Sequence, residues 1–243
     1  LVFNVPGFRD ADKNRVKLID KNQALKLISE GRTNLEIDSL RSYPYKEVFS
    51  HVLGYIGQIS KEELEKKDFL SYSGGDLIGK IGIEKEYERL LRGVNGKELV
   101  EVNSQGKTIR KLGQTDPIPG QNITITLDIA LQKAAFEAAK DIKKGVVIVS
   151  NPKGEILALL SKPSFDSNLF TMGEGYSGGE NSSYKSVSQV LSDSENQPLL
   201  NRAIGGTYPP GSTFKLITAS AGLEEKIIDE NFMVEDTGIL RVG

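Results

Sequence analysis

The 243-residue sequence has no cysteine, no tryptophan, two methionines and a single histidine, His51. Without cysteine there can be no disulfide, no thiolate metal site and no cysteine nucleophile. One histidine cannot build a multi-histidine metal site, and any Ser-His triad would have to use it. No stretch approaches the ~20 consecutive apolar residues of a membrane-spanning helix. A dominant charge is missing too. The 31 basic and 33 acidic side chains leave a net charge of −2, so no bulk field favours nucleic acid or an anionic membrane. No cofactor is expected, since "GGDLIGKIG" has glycines and a lysine without the spacing that cradles phosphate. What is present, 38% hydrophobic and 26% charged residues, suits a globular chain with a sizeable core.

Local patterns then place the elements. Ser60 and Glu63 stand at capping-box spacing and predict a helix start. Ile83, Tyr87, Leu90 and Leu91 fall at i, i+4, i+7 and i+8, an amphipathic helix that Gly93 stops. Two strands are expected around a turn at Asn103–Gly106. The prolines and glycine of residues 115–121 interrupt regular structure and divide the chain into domains 1–120 and 121–243. Residues 122–128 alternate as a short strand, and Asp128 is placed to cap an alanine-rich helix over 129–141. Two apolar runs flanking Asn151-Pro152-Lys153-Gly154 predict a hairpin of buried strands. The Gly/Ser-rich residues 173–183 read as a mobile loop, with a short helix after them.

Ser-x-x-Lys occurs four times, at Ser104/Lys107, Ser150/Lys153, Ser182/Lys185 and Ser212/Lys215. The first two lie in expected turns and the third beside the Gly/Ser loop. Only the fourth has a setting suited to chemistry. Pro209 and Pro210 stiffen the approach, Gly211 permits a tight bend, and Ser212 would start a helix whose free N–H groups favour a developing anion. Lys215, one turn on, is the only charge in "TFKLITASAGL". A helix apolar nearly all round is normally buried, and burial lowers a lysine pKa toward the range of a general base. The same residues also fit a plain alternative, in which Ser212 caps a core helix and Lys215 reaches solvent. Spacing alone leaves both open. Other polar candidates read as structural. These are His51 as a packed residue, Glu84, Glu86 and Glu88 as a solvated helix face, and Asp166 as a turn or cap.

Several spaced blocks resemble one family in order. "RSYPYKEVFSHVLGYIG" (41–57), "GKIGIEKEYERLLRG" (79–93), "ITLDIALQ" (125–132), "PKGEILALLSKPSFDSN" (152–168), "PLLNRA" (198–203) and "YPPGSTFK" (208–215) are similar to the blocks of class B penicillin-binding proteins, the elongation-type peptidoglycan D,D-transpeptidases. Residues 1–40 match weakly. The resemblance implies an α+β chain: an elongated pedestal (dimerisation-type) domain, then the beginning of a penicillin-binding transpeptidase sandwich. It implies Ser212 as acylated nucleophile and Lys215 as base, acting on D-Ala-D-Ala stem peptides and acylated by β-lactams. It also implies a membrane glycan polymerase as partner and a location on the outer face of the cytoplasmic membrane, periplasmic or extracytoplasmic. No S-x-N or K-[ST]-G follows Lys215, and the chain opens on Leu1. A chain incomplete for catalysis, with its anchor in a missing segment, is therefore expected. A non-catalytic scaffold docking the polymerase is the alternative.

Overall fold

Strands β1 (Phe3–Asp12), β2 (Arg15–Ile19) and β3 (Leu35–Ser42) form an antiparallel sheet in the order β2-β1-β3, with helix α1 (Lys21–Ser29) between β2 and β3. The computed structural model describes residues 3–12, 15–19, 21–31, 35–66, 72–105, 108–173, 175–235 and 238. They divide into two compact units, Leu1–Gly206 and Thr207–Gly243.

After β3 a 3-10 turn (Lys46–Phe49) and a short helix, α2 (Ser50–Leu53), lead into β4 (Tyr55–Gln58), which pairs antiparallel with β5 (Leu77–Ile81). Helix α3 (Lys61–Leu64) carries the expected capping box: Glu63 N–H donates to Ser60 Oγ at 3.2 Å and Ser60 N–H to Glu63 Oε2 at 2.7 Å. The amphipathic helix expected after residue 81 is two short ones, α4 (Gly82–Glu86) and α5 (Glu88–Leu91), broken at Tyr87. Past the break, Glu88 accepts hydrogen bonds from Gly79 N–H (2.8 Å) and Tyr72 OH (3.0 Å).

Two glycines within the motif blocks mark close backbone approaches. Gly54, at φ +81°, lies where a Cβ would fall 1.8 Å from the Ile81 carbonyl oxygen. At Gly79 a Cβ would fall 2.0 Å from the Glu84 carbonyl oxygen. Both backbones approach too closely for any side chain.

Strands β6 (Lys97–Val102) and β7 (Thr108–Thr115) form the expected hairpin, although Gly106 and Lys107 lie outside the described residues. The boundary segment turns back, Ile118 exchanging two backbone bonds with Val94 and Gln121 N–H donating to the Leu90 carbonyl. Helix α6 (Ile129–Ala138) is capped as expected, Asp128 accepting from Leu131 N–H at 2.8 Å. Strands β8 (Gly145–Ser150) and β9 (Ile156–Lys162) form the expected hairpin, with β9 the better buried. Residues 122–128 are not a strand. Among the described residues their hydrogen bonds to β9 are Asp128 N–H to the Leu157 carbonyl and Thr126 Oγ1 to the Ile156 carbonyl, too few for a ladder. Helices α7 (Val187–Ser192) and α8 (Arg202–Gly205) close the first unit, and α9 (Lys215–Glu224) lies in the second.

The core of the first unit joins residues far apart in sequence. Tyr55, Phe165, Leu169, Tyr184 and Val190 form one cluster, and Tyr43, Phe49 and Leu53 another. Tyr55 stacks on Phe170 at 3.8 Å between centroids. Buried polar groups lace this packing. Tyr43 N–H donates to Asn168 Oδ1 and Asn168 Nδ2 donates back to the Tyr43 carbonyl, each at 2.8 Å. Gln132, wholly buried in α6, donates to the carbonyls of Val48 and Leu159 and accepts from Leu159 N–H. Burying such amides costs little only because each donor and acceptor is met. Glu84 is not on a solvated face. It is 2% exposed and accepts from Arg41 Nε (2.7 Å), Arg41 Nη2 (3.2 Å) and Tyr43 OH (3.1 Å). The alternation with lysine and arginine suggested exposure, whereas the α4 backbone turns this carboxylate inward.

Candidate active site

The approach to Ser212 is built from backbone constraints. Helix α8 is capped by Asn201, whose Oδ1 accepts from Ala203 N–H at 3.1 Å. In the second unit, Pro209 and Pro210 lead to Gly211 at φ +55°, where nothing lies within 4 Å of a would-be Cβ. Glycine is therefore present for its left-handed backbone and not for want of space. Residues Gly211–Phe214 form a 3-10 turn that runs into α9. Thr213 Oγ1 bonds to the Pro210 carbonyl at 2.6 Å and stitches the bend. Ser212 thus sits one turn ahead of the α-helix. Its carbonyl accepts from the N–H of Lys215, the first residue of α9.

The expected burial is not found. Among the described residues, Ser212, Lys215 and every other residue from Gly211 to Ala221 are exposed, with Leu216 at 76% and Ile217 at 59%. The desolvation that would ready Lys215 as a base is absent from this arrangement. No hydrogen bond joins Ser212 Oγ to Lys215 Nζ among the described residues. Thr218 and Ser220 bond back to the Phe214 and Leu216 carbonyls along the helix. The arrangement presents a hydroxyl and an amine one turn apart at the start of an apolar helix whose described residues from Lys215 to Ala221 are exposed.

The other candidates have structural placements. Ser182 Oγ donates to the Tyr184 carbonyl at 2.8 Å, and Lys185 Nζ is held by the carbonyls of Gly179 and Glu180, so this Ser-x-x-Lys pair is engaged in pinning a loop. Ser150 ends β8 and Lys153 lies in the hairpin turn; Lys107 is outside the described residues. His51 is buried, stands edge-on to Phe165, and bonds through Nε2 to the Pro198 carbonyl at 2.7 Å. A carbonyl only accepts, so Nε2 carries the proton. Burial brings the His51 pKa down to about 4, with the Pro198 bond opposing and Arg202 reinforcing. Asp166 caps a 3-10 turn (Ser167–Phe170), as a turn residue should, and also accepts from Tyr176 OH at 2.7 Å. Burial, then the bond to Asp166, pushes the Tyr176 hydroxyl far above its usual range. Among the described residues Glu47 Oε1 has no hydrogen-bond partner, and burial pushes its carboxyl up. Among the described residues no cluster of three or more His, Asp or Glu could hold a metal.

Comparison with known proteins fits this layout. Residues 7–125 match the family described as the penicillin-binding protein dimerisation domain, and residues 145–242 match the penicillin-binding protein transpeptidase domain. The chain is 41% identical over 204 residues to the peptidoglycan D,D-transpeptidase MrdA of Acinetobacter baumannii, covering 84% of this chain and 29% of that one. It therefore spans under a third of the length of the curated relatives it matches. The crystal structure of Pseudomonas aeruginosa PBP2 in complex with WCK 5153 is 38% identical, with a TM-score of 0.62, covering 84% of this chain and 40% of that one. Helicobacter pylori PBP2 in its complex with MreC shares the fold at 24% identity, with a TM-score of 0.73, covering 100% of this chain and 52% of that one. With the two domain matches following one another along nearly its whole length, the chain belongs to the penicillin-binding proteins of class B, in which a dimerisation domain precedes a transpeptidase domain.

Proposed function

We propose that the chain is part of a serine-type peptidoglycan D,D-transpeptidase, with Ser212 as its nucleophile and Lys215 as its general base. The observation that carries this reading is the transpeptidase match across residues 145–242, which includes the Ser212–Lys215 pair at the mouth of α9. In the proposed reaction Lys215 Nζ takes the Ser212 hydroxyl proton as Oγ attacks the carbonyl carbon of the D-Ala-D-Ala peptide bond. The C–N bond breaks, the leaving D-alanine nitrogen gains a proton, and an acyl-serine ester remains. The amine of a neighbouring stem then attacks that ester, forming the cross-link and restoring the serine. β-Lactams would acylate the same oxygen and stay attached.

A neutral lysine needs a desolvated setting, and among the described residues of the second unit the side chains of α9 from Lys215 to Ala221 are exposed. The catalytic centre accordingly calls for further transpeptidase structure over this helix, carrying the S-x-N and K-[ST]-G groups that do not follow Lys215 in these 243 residues. Residues 1–120 would serve as pedestal and 121–243 as the start of the catalytic domain, on the outer face of the cytoplasmic membrane beside a glycan polymerase. Among the described residues no helix is long and apolar enough to cross a membrane, so the membrane anchor in this reading lies outside them.

Fluorescent penicillin tests the proposal. The natural gene product should label covalently, Ser212→Ala should abolish the label, and the 243-residue chain alone should label weakly. Labelling that survives Ser212→Ala would contradict the assignment.

A further inference from the structure

A cavity of about 390 Å³, a size that takes a small ligand, opens in the first unit. It is lined by α6, the 3-10 turn at Lys46–Phe49 and residues 179–182. Tyr45, Val48 and Phe136 give it an apolar wall, while Lys46, Glu47 and Glu180 bring charge to its lining. None of these side chains has a part in the acyl transfer at Ser212.

Charges of both signs gather here without pairing. Lys133 Nζ stands 4.8 Å from the centre of the Tyr45 ring, and Lys162 Nζ 4.9 Å from that of Phe136. Lys46 Nζ lies 3.4 Å from where a Cβ on Gly179 would fall. Among the described residues none of these three ammonium groups makes a hydrogen bond or an ion pair, and neither Glu47 nor Glu180 makes an ion pair. Glu47 Oε1 is covered and unmet among them, and burial pushes the carboxyl up, with Ser182 opposing. A buried acceptor left unmet costs free energy until something supplies a donor. Two backbone features point the same way. Lys46 holds a left-handed backbone at φ +47°, a strained state for a residue with a side chain and one that clusters at ligand clamps. Among the described residues the N–H groups of Gly179, Glu180 and Asn181 donate to no protein acceptor, so three successive donors stand free in the lining.

The geometry points to this cavity as a binding site for a short zwitterionic peptide, its free ammonium met by Glu47 and Glu180 and its carboxylate by Lys46, Lys133 and Lys162. A ligand of one sign would satisfy part of this set and be repelled by the rest. A cation alone leaves three lysines unanswered, and a phosphate or carboxylate alone brings negative charge to two glutamates. A peptide with both ends free answers both. It also lays small apolar side chains on Tyr45, Val48 and Phe136, and offers carbonyls to the free N–H groups of residues 179–181. Two of the lysines are already braced over aromatic rings, so they lose little freedom when a carboxylate arrives.

Isothermal titration calorimetry on the natural gene product, with Ser212 replaced by alanine, tests this site apart from the acyl-transfer reading. Trialanine should bind with a Kd of about 1 mM. N-acetyl-trialanine, which lacks the ammonium, and trialanine amide, which lacks the carboxylate, should each bind about tenfold more weakly. Glu47→Gln should weaken trialanine by about tenfold and leave N-acetyl-trialanine unchanged. Lys162→Gln should weaken trialanine and leave the amide unchanged. The three ligands need no change at the cavity, so they decide the matter even where far-ultraviolet circular dichroism shows a cavity variant to be misfolded. Absence of binding at about 20 mM trialanine, well above that Kd, overturns the proposal. So does N-acetyl-trialanine or trialanine amide binding as tightly as trialanine, which would mark a site for a single charge. A folded Glu47→Gln or Lys162→Gln variant that binds trialanine as the parent does overturns it equally.

Discussion

Residues 41–59 and residues 211–224 both carry family motif blocks, yet their physical states are opposite. In the first stretch Tyr43, Phe49, Leu53 and Tyr55 are buried, and two of the polar side chains among them have partners: Tyr43 in Asn168 and Glu84, His51 in the Pro198 carbonyl. In the second the side chains are just as apolar, but Phe214, Leu216 and Ile217 face solvent. A motif block therefore does not by itself bring the packing around it. Arg41–Gly57 finds its packing partners within Leu1–Gly206 and folds into a finished seam. Ser212 and Lys215 have the backbone bend and the helix, but not the low-dielectric surroundings that turn an amine into a base.

The contrast can be broken most severely at Gly54. Its φ of +81° and the Ile81 carbonyl at 1.8 Å from a would-be Cβ leave no room for alanine. Gly54→Ala should cost about 4 kcal/mol or more, read by urea denaturation. Glu84→Ala withdraws the acceptor from Arg41 and Tyr43 inside the seam and should cost about 3 kcal/mol by the same measurement.

A change of pH probes the same seam without a mutation. His51 titrates at about 4 when folded, against 6.5 ordinarily. Between those values the unfolded chain binds more protons than the native one. Its stabilising contribution is thus complete above the unfolded value and lost as pH falls toward the folded one, by ~1.4 kcal/mol per unit and ~3 kcal/mol in all. His51→Gln should flatten that slope in denaturant melts recorded from pH 7 to pH 4. Glu47, whose carboxyl burial pushes up, contributes with the opposite sign, so the His51 variant is needed to isolate the histidine. The smallest effect belongs to the other region. Leu216→Ala, at a side chain 76% exposed, should alter the stability of the 243-residue chain by less than about 0.5 kcal/mol. A cost of about 3 kcal/mol there would mean that α9 is packed after all, and the contrast would fall.

Local signals were legible where a short-range device decides the structure. The Ser60–Glu63 box, the Asp128 cap and the hairpin turn at Asn151–Gly154 act within a few residues, and each is found where its spacing puts it. Gly211 is legible for the same reason, because a tight bend at φ +55° needs glycine. Partnerships across the chain were not. Nothing near Glu84 announces that Arg41 and Tyr43 will come to it, and Gln132 looks like any helix-surface amide until Val48 and Leu159 converge on it. The strand expected over 122–128 failed for a related reason: alternation supplies a face, but a strand also needs a ladder. At the candidate site, the apolarity of 213–223 was visible, whereas its burial depends on whatever covers the helix.

The most direct test of the central claim is peptide mapping by mass spectrometry after treating the natural gene product with penicillin. The account predicts a single penicilloyl adduct on the peptide containing Ser212, formed about 10²–10⁴-fold more slowly in Lys215→Ala. An adduct on any other serine, or an acylation rate indifferent to Lys215→Ala, would contradict it.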